Sequence, residues 1–228
     1  MEMKDHLINK KQENKFSVIA HRIILIVLIM ILIYQFIIDY DNIDKIYFLN
    51  LHQINLYLNI LYYLFCFISD INKKDTKKSY QIFFHFCFSL SSSLPFIYLI
   101  LGIIYFGEEQ FYSNISFTLI GMLISPIIFN FLETLIIKRY KPAYINPIFL
   151  ILFLTIYYCL MYSLTKLGFG NEFYRKYLLD YKFLGIIYFT TLFGSFFGWW
   201  IYRVVTRPKI KKLDLSEFKT DSNKIPIF

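Results

Sequence analysis

The chain has 228 residues, of which 57% are apolar, 21% aromatic and 18% charged, with a net charge of +8. A soluble domain of this length fills its core with fewer apolar residues, so the composition excludes an ordinary water-soluble globule. The basic residues flank long uncharged runs, where they act as orientation signals; nucleic acid is excluded as a partner, and the lipid bilayer is the partner implied.

A bilayer core about 30 Å thick needs roughly 20 apolar helical residues to cross it, and open non-helical spans are excluded because their backbone groups stay unsatisfied in hydrocarbon. The sequence predicts six such spans, at about 17–38, 49–69, 83–106, 113–137, 144–165 and 183–202. The first follows Lys10, Lys11 and Lys15 but is long and has no small-residue cleavage site after it, so it reads as an uncleaved span. The second is the most polar, with His52, Gln53, Asn55 and Asn59. Pro95 and Gly102 mark kinks or close packing in the third, and Pro126 does so in the fourth. Gly194 and Gly198 in the sixth are spaced for close helix contact, and Trp199, Trp200 and Tyr202 beside Arg203 form an interfacial anchor. The expected fold is all-α, a polytopic bundle of six transmembrane helices over residues 17–205, with an N-terminal tail (1–16) and a basic, flexible C-terminal tail (206–228).

Orientation follows from Lys and Arg. The N-terminus to Arg22, the second and fourth loops and the C-terminal tail hold 19 of the 24, so both ends are expected to be cytosolic. The sequon Asn114-Ile115-Ser116 falls in the opposite, third loop. The cysteines Cys66, Cys87 and Cys159 lie inside apolar runs without CxxC spacing and read as small buried hydrophobes. No metal site and no cofactor motif emerges from the spacing.

Intramembrane polar residues are costly and are the default place to seek function. Asn55 follows His52 by three residues and Asn59 follows Asn55 by four, which puts this polarity on one helix face. That face is either a polar pocket wall with His52 as proton acceptor or a set of interhelical hydrogen bonds. His85 precedes Ser89 by four residues, a base-and-nucleophile spacing that competes with serine bonding to its own helix backbone. Glu133 precedes Lys138 and Arg139 by about a turn and either pairs at the interface or serves a site.

The order of several landmarks resembles the androgen-induced / androgen-dependent TFPI-regulating membrane protein family. These landmarks are the stretch Ile54-Asn55-Leu56-Tyr57-Leu58-Asn59-Ile60-Leu61-Tyr62-Tyr63 followed by Asp70, then Pro95, the pair Glu133 and Pro142, and the pair Gly170 and Tyr174. The resemblance implies a six-pass membrane protein of the endoplasmic reticulum or plasma membrane that hydrolyses fatty acid esters of hydroxy fatty acids. It also implies a threonine nucleophile and a histidine base. The threonine position falls on His52, and the histidine position, after Gly121-Met122, falls on Leu123. Leucine accepts no proton, so that mechanism cannot run here as it stands. The expectation is a catalytically altered or inactive relative holding a lipid ligand. Its activity is either lost or rebuilt from His52 or His85 with a hydroxyl such as Ser125, in a pocket with His52 at its wall and Leu123 opposite. The alternative is a non-enzymatic membrane protein such as a small transporter or assembly factor.

Overall fold

The computed structural model describes residues 2–38, 47–72, 78–104, 117–134, 147–169, 175 and 178–222. Among these the chain is helical, without strands: α1 (Glu2–Ile38), a short 3-10 turn (Tyr47–Leu49), α2 (Leu51–Ile71), α3 (Lys78–Ile104), α4 (Phe117–Leu132), α5 (Pro147–Lys166) and α6 (Tyr181–Ser222). Five helices contain stretches long and apolar enough to cross a membrane: Val18–Ile37, Leu51–Ile71, Tyr80–Ile100, Pro147–Lys166 and Tyr181–Val204. The all-α architecture is as expected from composition, and these helical apolar segments suit a multi-pass membrane protein. The remaining helix, α4, is described for 16 residues, about 24 Å of rise. The outer ends of the expected fourth span lie outside the described residues, as do Asn114, Pro142, Gly170 and Tyr174.

Two helices run past their apolar stretches. α1 starts at Glu2, well before Val18, and α6 continues to Ser222, into the segment read from sequence as a flexible tail. Beyond Pro208, that segment contains Lys211, Lys212, Leu213, Leu215, Glu217 and Lys219 and no glycine, and these residue types cost a helix little.

The distribution of polarity is inverted relative to a soluble protein. On α1, Ile19, Ile23, Ile26, Met30, Ile33 and Ile37 face outward while His21 is completely buried. On α2, Leu61, Leu64, Ile68 and Ile71 are exposed, whereas Gln53, Asn55 and Asn59 are fully enclosed. The same holds for α3, where Ile82 and Leu99 lie outside and His85, Ser89, Ser91 and Ser93 inside. Apolar side chains gain nothing by hiding from hydrocarbon, so packing in a membrane favours small residues and interhelical hydrogen bonds at the interfaces.

α3 packs most extensively against α6. Ser89, Ser92 and Ser93 meet the Gly194/Gly198 face there. A Cβ at Gly198 would lie 2.5 Å from the Ser92 side chain, and one at Gly194 2.7 Å from the Ser93 Cα. The two backbones can approach this closely only because glycine has no Cβ. Phe96 closes the seam on its outer side, with ring centroids 5.6 Å and 5.4 Å from Phe193 and Phe197. α5 joins α6 through Tyr158, whose hydroxyl lies 2.6 Å from the Thr191 Oγ1.

Valine at Gly198 would force α3 and α6 apart and is expected to cost about 3 kcal/mol. Gly185→Ala, where an added Cβ meets nothing within 4 Å, is expected to leave stability unchanged. Thermal unfolding of both variants in detergent checks the contrast, and equal melting temperatures would refute the close contact.

Candidate functional site: a buried histidine between two carboxylates

His21 sits near the start of the apolar stretch of α1, Asp70 one residue before the end of α2, and Glu133 just beyond α4. The backbone widens from α-helical to a π-type turn at Glu133 and Thr134; such turns displace a side chain from the regular helical position and recur at functional sites. The three residues converge. His21 Nδ1 lies 2.7 Å from Asp70 Oδ2 and His21 Nε2 lies 2.9 Å from Glu133 Oε2. The His21 and Glu133 side chains are 0% exposed and that of Asp70 2%. Tyr62 donates a hydrogen bond to the other oxygen of Glu133 at 3.3 Å. The Cys66 thiol, one helical turn before Asp70, is buried within the same cluster, its sulfur within 4.8 Å of ligand atoms of His21 and Glu133.

The protonation of this trio is constrained by geometry. A neutral imidazole has one N–H and one lone pair, while an imidazolium has two N–H donors. Either His21 is protonated and donates to both carboxylates, or it is neutral and one carboxyl donates to it. In both cases two protons occupy the two contacts, and with no further proton on the outer carboxylate oxygens the trio carries one net negative charge. Burying such a charge is expensive, which marks the centre as more than helix packing.

A second network continues from it along α2. Tyr63, its ring centroid 5.0 Å from that of Tyr62, donates to Asn130 Oδ1 at 3.3 Å. Asn130 Nδ2 donates to Asn59 Oδ1 at 2.9 Å. Asn59 in turn donates to the Asn55 carbonyl at 2.8 Å, and Ser91 donates to Asn55 Oδ1 at 2.9 Å. Beyond Asn55, Gln53 is 0% exposed, and neither of its amide atoms has a hydrogen-bond partner among the described residues.

The residues singled out from sequence are thus divided. Glu133 joins the histidine centre, and Asn55 joins the amide network. His85 packs on α6: its ring stacks on Tyr202 with centroids 4.4 Å apart and on Trp199 at 6.5 Å. Ser89, its expected partner, lies under Gly198 in the α3–α6 seam. His52 is half-buried on the first turn of α2, beside Leu51, which belongs to the same apolar cluster as Leu123. Ser125 Oγ is enclosed and makes no hydrogen bond to a described residue.

Sequence reasoning did not single out His21 or Cys66 as site residues, nor use Asp70 for more than a landmark. A topological signal was present. In the topology expected from sequence, with both ends of the chain on one side, the start of the first span and the ends of the second and fourth would lie at the same membrane face, which would put His21, Asp70 and Glu133 at one depth. The charge count absorbed Arg22 and passed over its neighbour His21.

Removing His21 leaves two buried carboxylates facing each other. His21→Ala is expected to cost about 3–5 kcal/mol, and adding Glu133→Gln to it should restore part of that loss by removing one of the stranded charges. Unfolding of the single and double variants in detergent measures this; a double variant no more stable than the single one would contradict the charge assignment.

Compared with known proteins, the chain matches no protein-family model, no curated protein and no solved structure.

Proposed function

We propose that this chain crosses the membrane six times with both ends in the cytosol, and that it is a membrane-embedded hydrolase of lipid esters whose acid–base centre is His21 with Glu133. One observation carries the chemistry: His21 is held on one nitrogen by the Asp70 carboxylate while the other meets a second carboxylate. A base oriented by a third group is one part of the arrangement hydrolytic centres use, the other being a nucleophile within its reach; here water would take that place. In this reading the His21–Glu133 contact opens to admit water. One of the two takes the water proton as the oxygen attacks the ester carbonyl, and the pair returns a proton to the departing alkoxide. Asp70 keeps the imidazole ring in place. The substrate class rests on the family resemblance and on the apolar outer faces of the helices. Within that resemblance, the base has moved from the position of Leu123 on α4 to α1.

A second reading, proton or small-cation movement, is favoured by a different observation. Buried polar side chains follow α2 from Asp70 to Gln53, about 26 Å of helix rise against a hydrocarbon core of about 30 Å.

Turnover of a panel of fluorogenic lipid esters by the protein in vesicles separates these readings. Hydrolysis that falls at least about 100-fold in His21→Ala and Glu133→Gln supports the enzyme. Loss in His52→Ala but not in His21→Ala would place the chemistry at the family's nucleophile position instead. No turnover above empty vesicles, together with a protein-dependent proton flux, would replace the hydrolase with the transport reading.

A further inference from the structure

The centre contains one residue that acid–base chemistry does not use. Cys66 places a thiol beside His21 and Glu133, with one ligand atom from each residue lying within 4.8 Å of the others. Sulfur, imidazole nitrogen and carboxylate oxygen together form a mixed donor set that suits a borderline cation. We infer that His21, Cys66 and Glu133 bind a divalent transition-metal ion, with zinc(II) as the occupant, and that Asp70 and Tyr62 are its outer partners.

The distances fit. Tetrahedral zinc has bonds of about 2.0–2.1 Å to nitrogen or oxygen and about 2.3 Å to sulfur, so its ligand atoms stand roughly 3.3–3.8 Å apart. The present separations are compatible with that range: His21 Nε2 lies 2.9 Å from Glu133 Oε2, and one ring nitrogen of His21, the Cys66 sulfur and one carboxylate oxygen of Glu133 lie within 4.8 Å of one another. The imidazole and carboxylate would part by about half an ångström to seat the ion.

The outer partners match as well. A metal-bound histidine characteristically gives its other N–H to a carboxylate, which fixes the ring and its tautomer. His21 Nδ1 already faces Asp70 Oδ2 at 2.7 Å, leaving Nε2, the nitrogen turned to Glu133, for the ion. Tyr62 donates to the Glu133 oxygen that does not face His21, steadying the carboxylate without competing for the ligand atom. These roles come from α1, α2 and the end of α4, so the ion would join three helices.

Ligand chemistry permits occupancy. Zinc takes cysteine as thiolate and histidine as neutral imidazole, so binding would release the thiol proton and the proton between Nε2 and Glu133 and keep the one between Nδ1 and Asp70. Two positive charges would enter and two leave, and the ion would exchange part of its water shell for three protein ligands. Three protein ligands would leave a fourth position for water, as in hydrolytic zinc sites; with the ion bound, His21 and Glu133 would serve as ligands in place of the acid–base pair, and occupancy itself does not depend on the hydrolase reading.

The test uses the full chain purified in detergent without chelator, then stripped and titrated with cobalt(II) or zinc(II). Expected are about one metal ion per chain at saturation and a thiolate-to-cobalt charge-transfer band in the near ultraviolet. Cys66→Ser should abolish the band, and Glu133→Gln should weaken uptake at least about 10-fold. Cys159→Ser, whose thiol is exposed on α5, should leave both unchanged. The inference is overturned if the stripped, monodisperse protein takes up neither metal, or if the band survives Cys66→Ser. Should both site variants fail to fold, stoichiometric uptake by the unaltered chain decides. Because the readout is occupancy, saturable binding without ester turnover removes the hydrolase alone, and turnover without binding removes the metal alone.

Discussion

Inside a membrane, a polar group that leaves water must find its partner within the protein. Most of this interior follows from that constraint. His21, Asp70 and Glu133 satisfy one another, and Asn55, Asn59, Ser91 and Asn130 form a chain of amide and hydroxyl bonds. The outward faces are free to be isoleucine, leucine and phenylalanine because lipid asks nothing of them. What holds the helices together is therefore the polar and small-residue interior, and the bulk of the apolar side chains serves as solvent-facing surface.

Two kinds of seam result. Between α3 and α6, serines and glycines allow backbone approach, a contact of shape. Among α1, α2 and α4, charged and amide side chains meet, a contact of hydrogen bonding and charge. The first tolerates little change in volume and is indifferent to protons. The second has protons at its centre and can respond to any process that moves them or replaces them with an ion.

The helical architecture was legible from composition and run length, because the bilayer thickness sets a length that sequence must meet. The Gly194/Gly198 face was legible too, since a four-residue spacing of glycines has a direct geometric meaning. The site was legible only in part. Asn55 and Glu133 stand out in uncharged runs, and the structure uses both. His52 and His85 stood out equally, yet His85 is stacked on the aromatics Tyr202 and Trp199 of α6, a context that no local pattern reveals. His21 escaped notice because it sits at the edge of a span, where polar residues are cheap. Its burial depends on α2 and α4 covering that edge. Cys66 was read as a small apolar residue, which is how a lone cysteine in a helix behaves until another helix brings a histidine beside it.

The separation of the ligands along the chain also has consequences for how the protein is made. His21 and Asp70 belong to the first two helices, whereas Glu133 arrives only after α3 and α4 have been synthesised. A lone aspartate near the end of a span is costly to place in lipid. Pairing with His21 gives that aspartate a buried partner from the preceding helix, so α1 and α2 alone contain one of the two contacts. The second contact requires the end of α4, so the complete centre exists only where three helices meet.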